Sequence, residues 1–404
     1  MASVEKRTRD GTITWLARWR DPDGKQRKRS FPRKTDADRF LTTVQHGMLT
    51  GAYVDPAAGK TTFESHAELW RAGQVHRPTT TAHVETMLRR HAYPVFGDRP
   101  LASIRPSEIQ AWVKRLSVGS TDPKCTAKVH SSCACRKPLA AATVGVAHGL
   151  VAAVFKSAVR DRKLTGSPCE GIKLPRKEPR NVKPRSTEDV RALADAVPDR
   201  YAALVVLAAG TGLRQGEAFG LTVDRVDFLR RTLTVDRQLV LVAGRPPFHG
   251  PPKTTASYRT VPLPQVVIEA LAEHLRAFPA GPNGLLFTTP NGEPLRRTTF
   301  GATVWRPATK RAEVEGAVFH ELRHYYASLL IRHGESVKVV QARLGHATAA
   351  ETLDTYSHLW PDSEDRTREA IDAVLGQPST TTRQVAHDHE ALALDLIALT
   401  ESGP

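Results

Sequence analysis

Cysteine is scarce in this chain, with four residues in 404. That is too few for a disulfide scaffold and suits a reducing cytoplasm. Long hydrophobic runs are lacking too. The longest apolar stretch, "LAAATVGVAHGLVAAVF" from Leu139 to Phe155, is rich in Ala and Gly and interrupted by His148. A buried helix is expected there rather than a membrane span. No apolar segment follows the basic opening residues, so no secretory leader is expected. Nucleotide signatures are missing as well: "GTGLRQG" at 210–216 falls short of both G-x-G-x-x-G and the P-loop. There is no internal repeat. What remains is a soluble multidomain chain, long enough for two or three cores.

Acidic residues are in deficit, 42 against 58 Lys and Arg, for a net charge of +16. Residues 1–60 carry +6, 61–175 carry +9 and 176–360 carry +7, whereas 361–404 carry −6. Three basic segments in series fit a polyanion partner. The plainer alternative is a basic enzyme with no nucleic acid partner.

Four segments follow from pattern. In 1–60, "TITWLARWRDPDGKQRKRSF" alternates from Ile13 to Trp19, turns at Asp21-Pro22-Asp23-Gly24 and resumes to Phe31, a hairpin. Thr35 is the expected cap of the helix after it. This β-β-α module carries Arg18, Arg20, Arg27, Lys28 and Arg29, which could meet DNA in a major groove or form a solvated, aggregation-resistant edge. Residues 61–175 are helical by spacing, with breaks expected at Pro94, at 97–100 and at 166–168. A loop inside them holds Cys125, His130, Cys133 and Cys135. Zinc is conceivable there, but the C-x-C spacing is tighter than usual, and a flexible insertion is the default. Residues 176–376 open on a Pro-rich basic linker, with Ser186 or Thr187 capping the next helix, and mix helices with the strands of "RTLTVDRQLVLVAG" and "SYRTVPLP". Residues 377–404 form a tail, expected to be disordered apart from a short helix from His389 to Leu399.

The stretch "HELRHYYASLLIRHG" at 320–334 fits the H-E-x-x-H pattern of zinc peptidases. No third ligand follows at a suitable distance, and Arg323 would sit beside the metal. Other polar residues stand at abrupt element boundaries. Arg214 follows the Thr211-Gly212 turn, Lys253 lies in "GPPKTTASYRTVPL", and His320 and Arg323 share a helix face. His346 follows Gly345, and Tyr356 comes ten residues later.

The segments "TGLRQGEAFGL", "PKTTASYRTVPL", "HELRHYYASLL" and "LGHATAAETLDTYSH" occur in the order of the boxes of the tyrosine recombinases, and here the chain resembles that family, particularly phage-type integrases. The resemblance implies a mainly α fold with small β-sheets: an N-terminal arm-binding-like module, a helical core-binding domain and a mixed α/β catalytic domain. It implies site-specific DNA recombination through a 3′-phosphotyrosyl link to Tyr356. Arg214 and Arg323 would hold the phosphate, and His346 would add a donor. His320 would take or orient the tyrosine proton, and Lys253 would protonate the departing 5′-oxygen. Glu217 would orient Arg214. No cofactor is needed, neither ATP nor a metal. The implied partners are double-stranded attachment sites, a homotetramer on DNA, an excision factor and a DNA-bending host protein, all in the cytoplasm at the nucleoid. His324 and His358 flank the site, and Tyr325 stands where the family usually has Ser or Thr. A DNA-relaxing topoisomerase and a catalytically silent DNA-binding regulator are the competing readings. The acidic tail is expected to dock on a neighbouring protomer.

Overall fold

The computed structural model describes residues 2–9, 11–22, 24–50, 53, 55, 58–119, 137–178, 182–360 and 364–376. The Cys125, His130, Cys133 and Cys135 loop and the 377–404 tail lie outside them. Two compact units result, Met1–Pro179 with Leu241–Pro246, and Arg180–Val240 with Pro247–Pro404.

The first unit opens with three antiparallel strands, β1 (Ser3–Arg9), β2 (Thr12–Arg20) and β3 (Gln26–Phe31), in the order β1-β2-β3. The hairpin of β2 and β3 pairs Trp15 with Phe31 and Arg18 with Lys28. Strand β1 corrects the β-β-α expectation. Its sequence, SVEKRTR, has no apolar alternation, and it is a strand because it pairs along its whole length with β2. Helix α1 (Lys34–Leu49) packs on the face that carries Ala17 and Trp19, through Ala37, Leu41 and Val44. Arg33, not Thr35, takes the cap position, with no side-chain bond.

Helices α2 (Phe63–Ala72), α3 (Pro78–Met87), α4 (Tyr93–Phe96), α5 (Pro106–Val118) and α6 (Ala141–Arg160) follow. The break expected at Pro94 is absent. A π-turn at Leu88–Ala92 joins α3 to α4, widening the winding just before the residue that has no N–H to give. Helix α6 is long and apolar enough to cross a membrane, yet its Val144, Val151, Val154 and Phe155 belong to this helical core. Phe63, Phe96, Trp112 and Phe155 meet edge-on or tilted at its centre.

The second unit starts with α7 (Thr187–Ala196), capped by Ser186, whose hydroxyl accepts from the Asp189 N–H. The buried helix α8 (Asp199–Thr211) comes next, then the short α9 (Gln215–Phe219). A sheet of β4 (Val226–Asp227), β5 (Thr232–Val235) and β8 (Arg259–Pro262), and a hairpin of β6 (Gln238–Val240) and β7 (Phe248–Gly250), follow. The remaining helices are α10 (Gln265–Ala277), α11 (Arg297–Phe300), α12 (Arg306–Arg311), α13 (Glu321–Arg332), α14 (Val337–Leu344), α15 (Ala349–Tyr356) and α16 (Glu364–Leu375). Helix α8 packs against α7, α10 and α13, so its hydrophobic face runs all the way round.

Trp112 is 1% exposed and donates its indole N–H to the His91 carbonyl inside the π-turn, at 2.9 Å. Trp112→Ala should therefore cost about 3–5 kcal/mol, read as a lowered urea midpoint; a loss below about 1 kcal/mol would contradict this account of the helical core.

Candidate active site

The site begins at a helix end. Helix α8 closes on Gly212 with φ +65°, and a Cβ there would lie 2.5 Å from the Tyr326 ring. Only glycine lets α13 approach this closely in that conformation. The Gly212 carbonyl then accepts from Nη1 of Arg323 at 2.7 Å, while Nη2 of Arg323 donates to the Leu344 carbonyl at 2.7 Å. Arg323 is 2% exposed. Burial, with the charges of Arg214 and Arg259, pulls its pKa down to about 9, so it stays cationic at neutral pH.

Arg214 caps α9. Its backbone N–H and Nη1 donate to Glu217 at 3.0 Å each, Nη1 also to the Ser257 hydroxyl, and Nη2 to the Gly345 carbonyl at 3.0 Å. Glu217 is 4% exposed. Burial works to raise its pKa, but Arg259 and Arg214 outweigh it and hold the carboxyl below its ordinary value. Arg259, at the start of β8, donates to Glu217 Oε2 at 2.8 Å and to the carbonyls of Arg343 and Ser257.

Three imidazoles complete the cluster. His320 stands at the head of α13, its ring 4.9 Å from that of His324 one turn on. Burial first, then His324, Arg323, Arg214 and Arg297, press the His320 pKa down to about 4. His346 follows Gly345, whose φ is +66°, and shares a proton between Nδ1 and the Thr352 hydroxyl at 2.9 Å. Burial and Arg323 lower it to about 4 as well. Its ring lies nearly parallel to Tyr356, centroids 6.4 Å apart. Tyr356, at the end of α15, is 1% exposed, and burial pushes its hydroxyl up to about 12.

Six of the residues singled out by sequence thus converge: Arg214, Glu217, His320, Arg323, His346 and Tyr356. Lys253 is exposed on the β7–β8 loop, one residue before Thr254, whose hydroxyl meets that of Ser257 in the Arg214 network. The partner of the Tyr356 hydroxyl is Nδ1 of His324, at 2.8 Å, rather than the expected His320. Ser257 and Arg259 lie within the "PKTTASYRTVPL" box but carry no role there, and Arg297 lies outside the four boxes, because nothing local distinguishes them from surface residues. Arg297, at the head of α11, lies beside Gly216, 3.7 Å from where a Cβ would stand. Glu321, the acidic residue of the H-E-x-x-H match, instead accepts from Arg185 at 2.6 Å.

In the β-sheet module the register divides the five basic residues. Arg18, Arg20 and Lys28 lie on the face away from α1, with Arg20 and Lys28 exposed. Arg27 is drawn to the other face by Asp21 and Asp55, and Arg29 stacks over Phe31 and Phe40.

Residues 186–362 match the Phage integrase family, and residues 62–117 match its N-terminal SAM-like domain. The integrase of Mycobacterium phage D29 is 27% identical over 79% of this chain and 83% of its own length. The XerC-like tyrosine recombinase of Caldanaerobacter subterraneus is 30% identical over 57% of this chain and 65% of its own. Among solved structures, the Tn1549 transposon integrase in complex with transposon right end DNA has a TM-score of 0.61 at 20% identity, covering 78% of this chain and all of that one. A lambda integrase tetramer bound to a Holliday junction has a TM-score of 0.51 at 16% identity, covering 86% and 96%.

The depressed imidazoles have a thermodynamic consequence. An unfolded chain binds protons at His320 and His346 near pH 6.5, whereas the fold resists until about 4. The unfolded state therefore holds more protons between those values, so stability is fully present above about pH 6.5 and drains away as pH falls toward 4. The urea midpoint should decline over that window, and less steeply in His346→Gln; identical slopes would contradict the shifted imidazole.

Proposed function

The chain belongs to the phage integrase family of tyrosine recombinases, and from that premise we propose that Tyr356 is its nucleophile in a site-specific exchange of DNA strands. One observation carries this reading: Arg214 and Arg323, held by carbonyls from separate helix ends, share a buried cluster with the Tyr356 phenol and three imidazoles.

A phosphodiester is anionic, and its attacked state gathers charge on two non-bridging oxygens. Planar guanidinium forks suit each of them. The Tyr356 oxygen bonds to phosphorus as the bond to the 5′-oxygen breaks. Its proton leaves through an imidazole, His324 in the free chain and His320 beside it, both kept below the ordinary histidine pKa by burial. His346 donates to the phosphate, and Lys253 gives a proton to the departing 5′-oxygen. The exposed loop of Lys253 has to close over DNA for that step. The phosphotyrosyl bond keeps the energy of the cleaved ester, so a free 5′-hydroxyl of another strand reverses the reaction. Since Tyr356 is buried in the free chain, the end of α15 has to open before a phosphate can reach it.

Residues 1–60 then serve as the arm-type DNA module, with Arg18, Arg20 and Lys28 toward DNA, while 61–175 grip the core site and 176–376 catalyse. Two double-stranded attachment sites, a homotetramer, an excision factor and a DNA-bending host protein complete the reaction, which integrates a mobile element at the nucleoid.

A nicked suicide duplex of the cognate core site tests this. The unaltered chain should trap a covalent adduct and Tyr356→Phe none. Religation to a second duplex is expected; relaxation without strand transfer would favour a topoisomerase, and no adduct at all a silent DNA binder. Arg20→Ala with Lys28→Ala should weaken arm-site binding and flatten its salt dependence by about two charges, leaving cleavage of a core-only duplex unchanged.

A further inference from the structure

We infer that Arg259 is a positioning residue for strand cleavage, acting through Glu217 on the phosphate-binding arginine Arg214. The inference rests on the reading of Tyr356 and Arg214 given above.

The side chain of Arg259 is 5% exposed and that of Glu217 2%. All three guanidinium nitrogens of Arg259 are engaged. Nε donates to the Arg343 carbonyl at 2.8 Å, Nη1 to the Ser257 carbonyl at 3.0 Å, and Nη2 to Glu217 Oε2 at 2.8 Å. Arg214 meets the same carboxylate, Nη1 on Oε1 and its backbone N–H on Oε2, and Arg259 Nη1 also reaches Oε1 at 3.4 Å. Arg259 thus ties three separate pieces of chain together: β8 with its Ser257 turn, α9 with Arg214, and the end of α14. The α14 end carries the carbonyls that hold Arg214 and Arg323, and it leads directly into His346. The packing there is tight, since a Cβ on Gly345 would lie 3.1 Å from Arg259 Nη1. Nε and both Nη of Arg259 are directed at acceptors of the chain, so its influence on the reaction passes through the groups it holds.

The geometry of the fork is what matters, not the charge alone. Lysine keeps a positive charge opposite Glu217 but cannot donate in three directions from one plane. Displacing a phosphate-binding group by about 1 Å costs on the order of a hundredfold in rate, and loss of an orienting partner about ten- to a hundredfold.

The test is single-turnover adduct formation on the suicide duplex at saturating DNA, for Arg259→Lys, Arg214→Lys and the double variant. Arg259→Lys should slow adduct formation about ten- to a hundredfold while DNA affinity stays within about twofold. In the Arg214→Lys background the same change should cost less than about threefold, because the group it positions is already altered. Multiplying losses, or an unaltered rate in Arg259→Lys, would overturn the inference alone. Arg259→Gln is the second variant, and it should show the same non-additivity. Loss of the folded state in both Arg259 variants would make the residue one of stability and overturn it too. No adduct from the unaltered chain would overturn the reading of Tyr356, and this inference with it.

Discussion

The buried carboxylate of Glu217 sets the arrangement of everything around it. Taking a carboxylate out of water costs several kcal/mol, and the cost is offset only by close partners of opposite charge. Here there are two, Arg214 and Arg259, each donating to both oxygens. Arg323, equally buried, has no carboxylate partner of its own and is satisfied by peptide carbonyls. The cluster therefore holds three guanidiniums against one carboxylate and keeps a surplus of positive charge in a poorly solvated place. In the proposed reaction a phosphodiester would answer that surplus, and the attacked phosphate, with more charge on its non-bridging oxygens, would answer it better. Such a difference between ground and attacked state is what accelerates a reaction.

The carbonyls that make this possible come from helix ends. The last turns of a helix leave carbonyls without intrahelical donors. Gly212 follows α8, Leu344 ends α14, and Gly345 comes directly after it. Instead of facing water, these oxygens point at arginines. The two glycines stand in the left-handed region, at φ +65° and +66°, and each also leaves space that a side chain would fill: the Tyr326 ring at Gly212, the β8 turn at Gly345. A backbone requirement and a packing requirement thus coincide at the same two positions. That coincidence fixes where the arginines sit more firmly than surface ion pairs could, because exposed pairs contribute little and are screened by salt.

Much of this was legible in the sequence, for identifiable reasons. The β2–β3 hairpin shows because Trp15, Ala17 and Trp19 alternate, and Gly212 and Gly345 show because each ends an apolar helix. The order of the four boxes marks Arg214, Arg323, His346 and Tyr356 in the sequence itself. The rest depended on contacts across long stretches of chain. Strand β1 is charged and takes its conformation from its neighbour. Pro94 does not break its helix because a wider turn precedes it. Lys253 stands on an exposed loop, and a loop's position is set by packing that no local pattern encodes. Arg259 and Arg297 look like any surface arginine until α14 and α9 close beside them. The sequence marks His324 only as a neighbour of the site, although its spacing from His320 puts both on one helix face.

The imidazoles give the site its state before DNA arrives. Burial and the adjacent guanidiniums keep His320 and His346 unprotonated far below neutral pH, while burial pushes the phenol of Tyr356 up to about 12. The base is available, but the acid is reluctant, so the hydroxyl stays protonated on His324. In the proposed reaction a bound phosphate would alter both sides of that balance. Its negative charge offsets the guanidiniums and strengthens the imidazoles as bases and, once protonated, as donors. Opening of α15 would hydrate the phenol and remove the burial that raised its pKa. The charge surplus around Glu217 then meets the phosphate, while the proton of Tyr356 has somewhere to go. In the proposed reaction neither change occurs without DNA, so the positive cluster that would promote attack on a phosphate also keeps the Tyr356 phenol quiet when no phosphate is present.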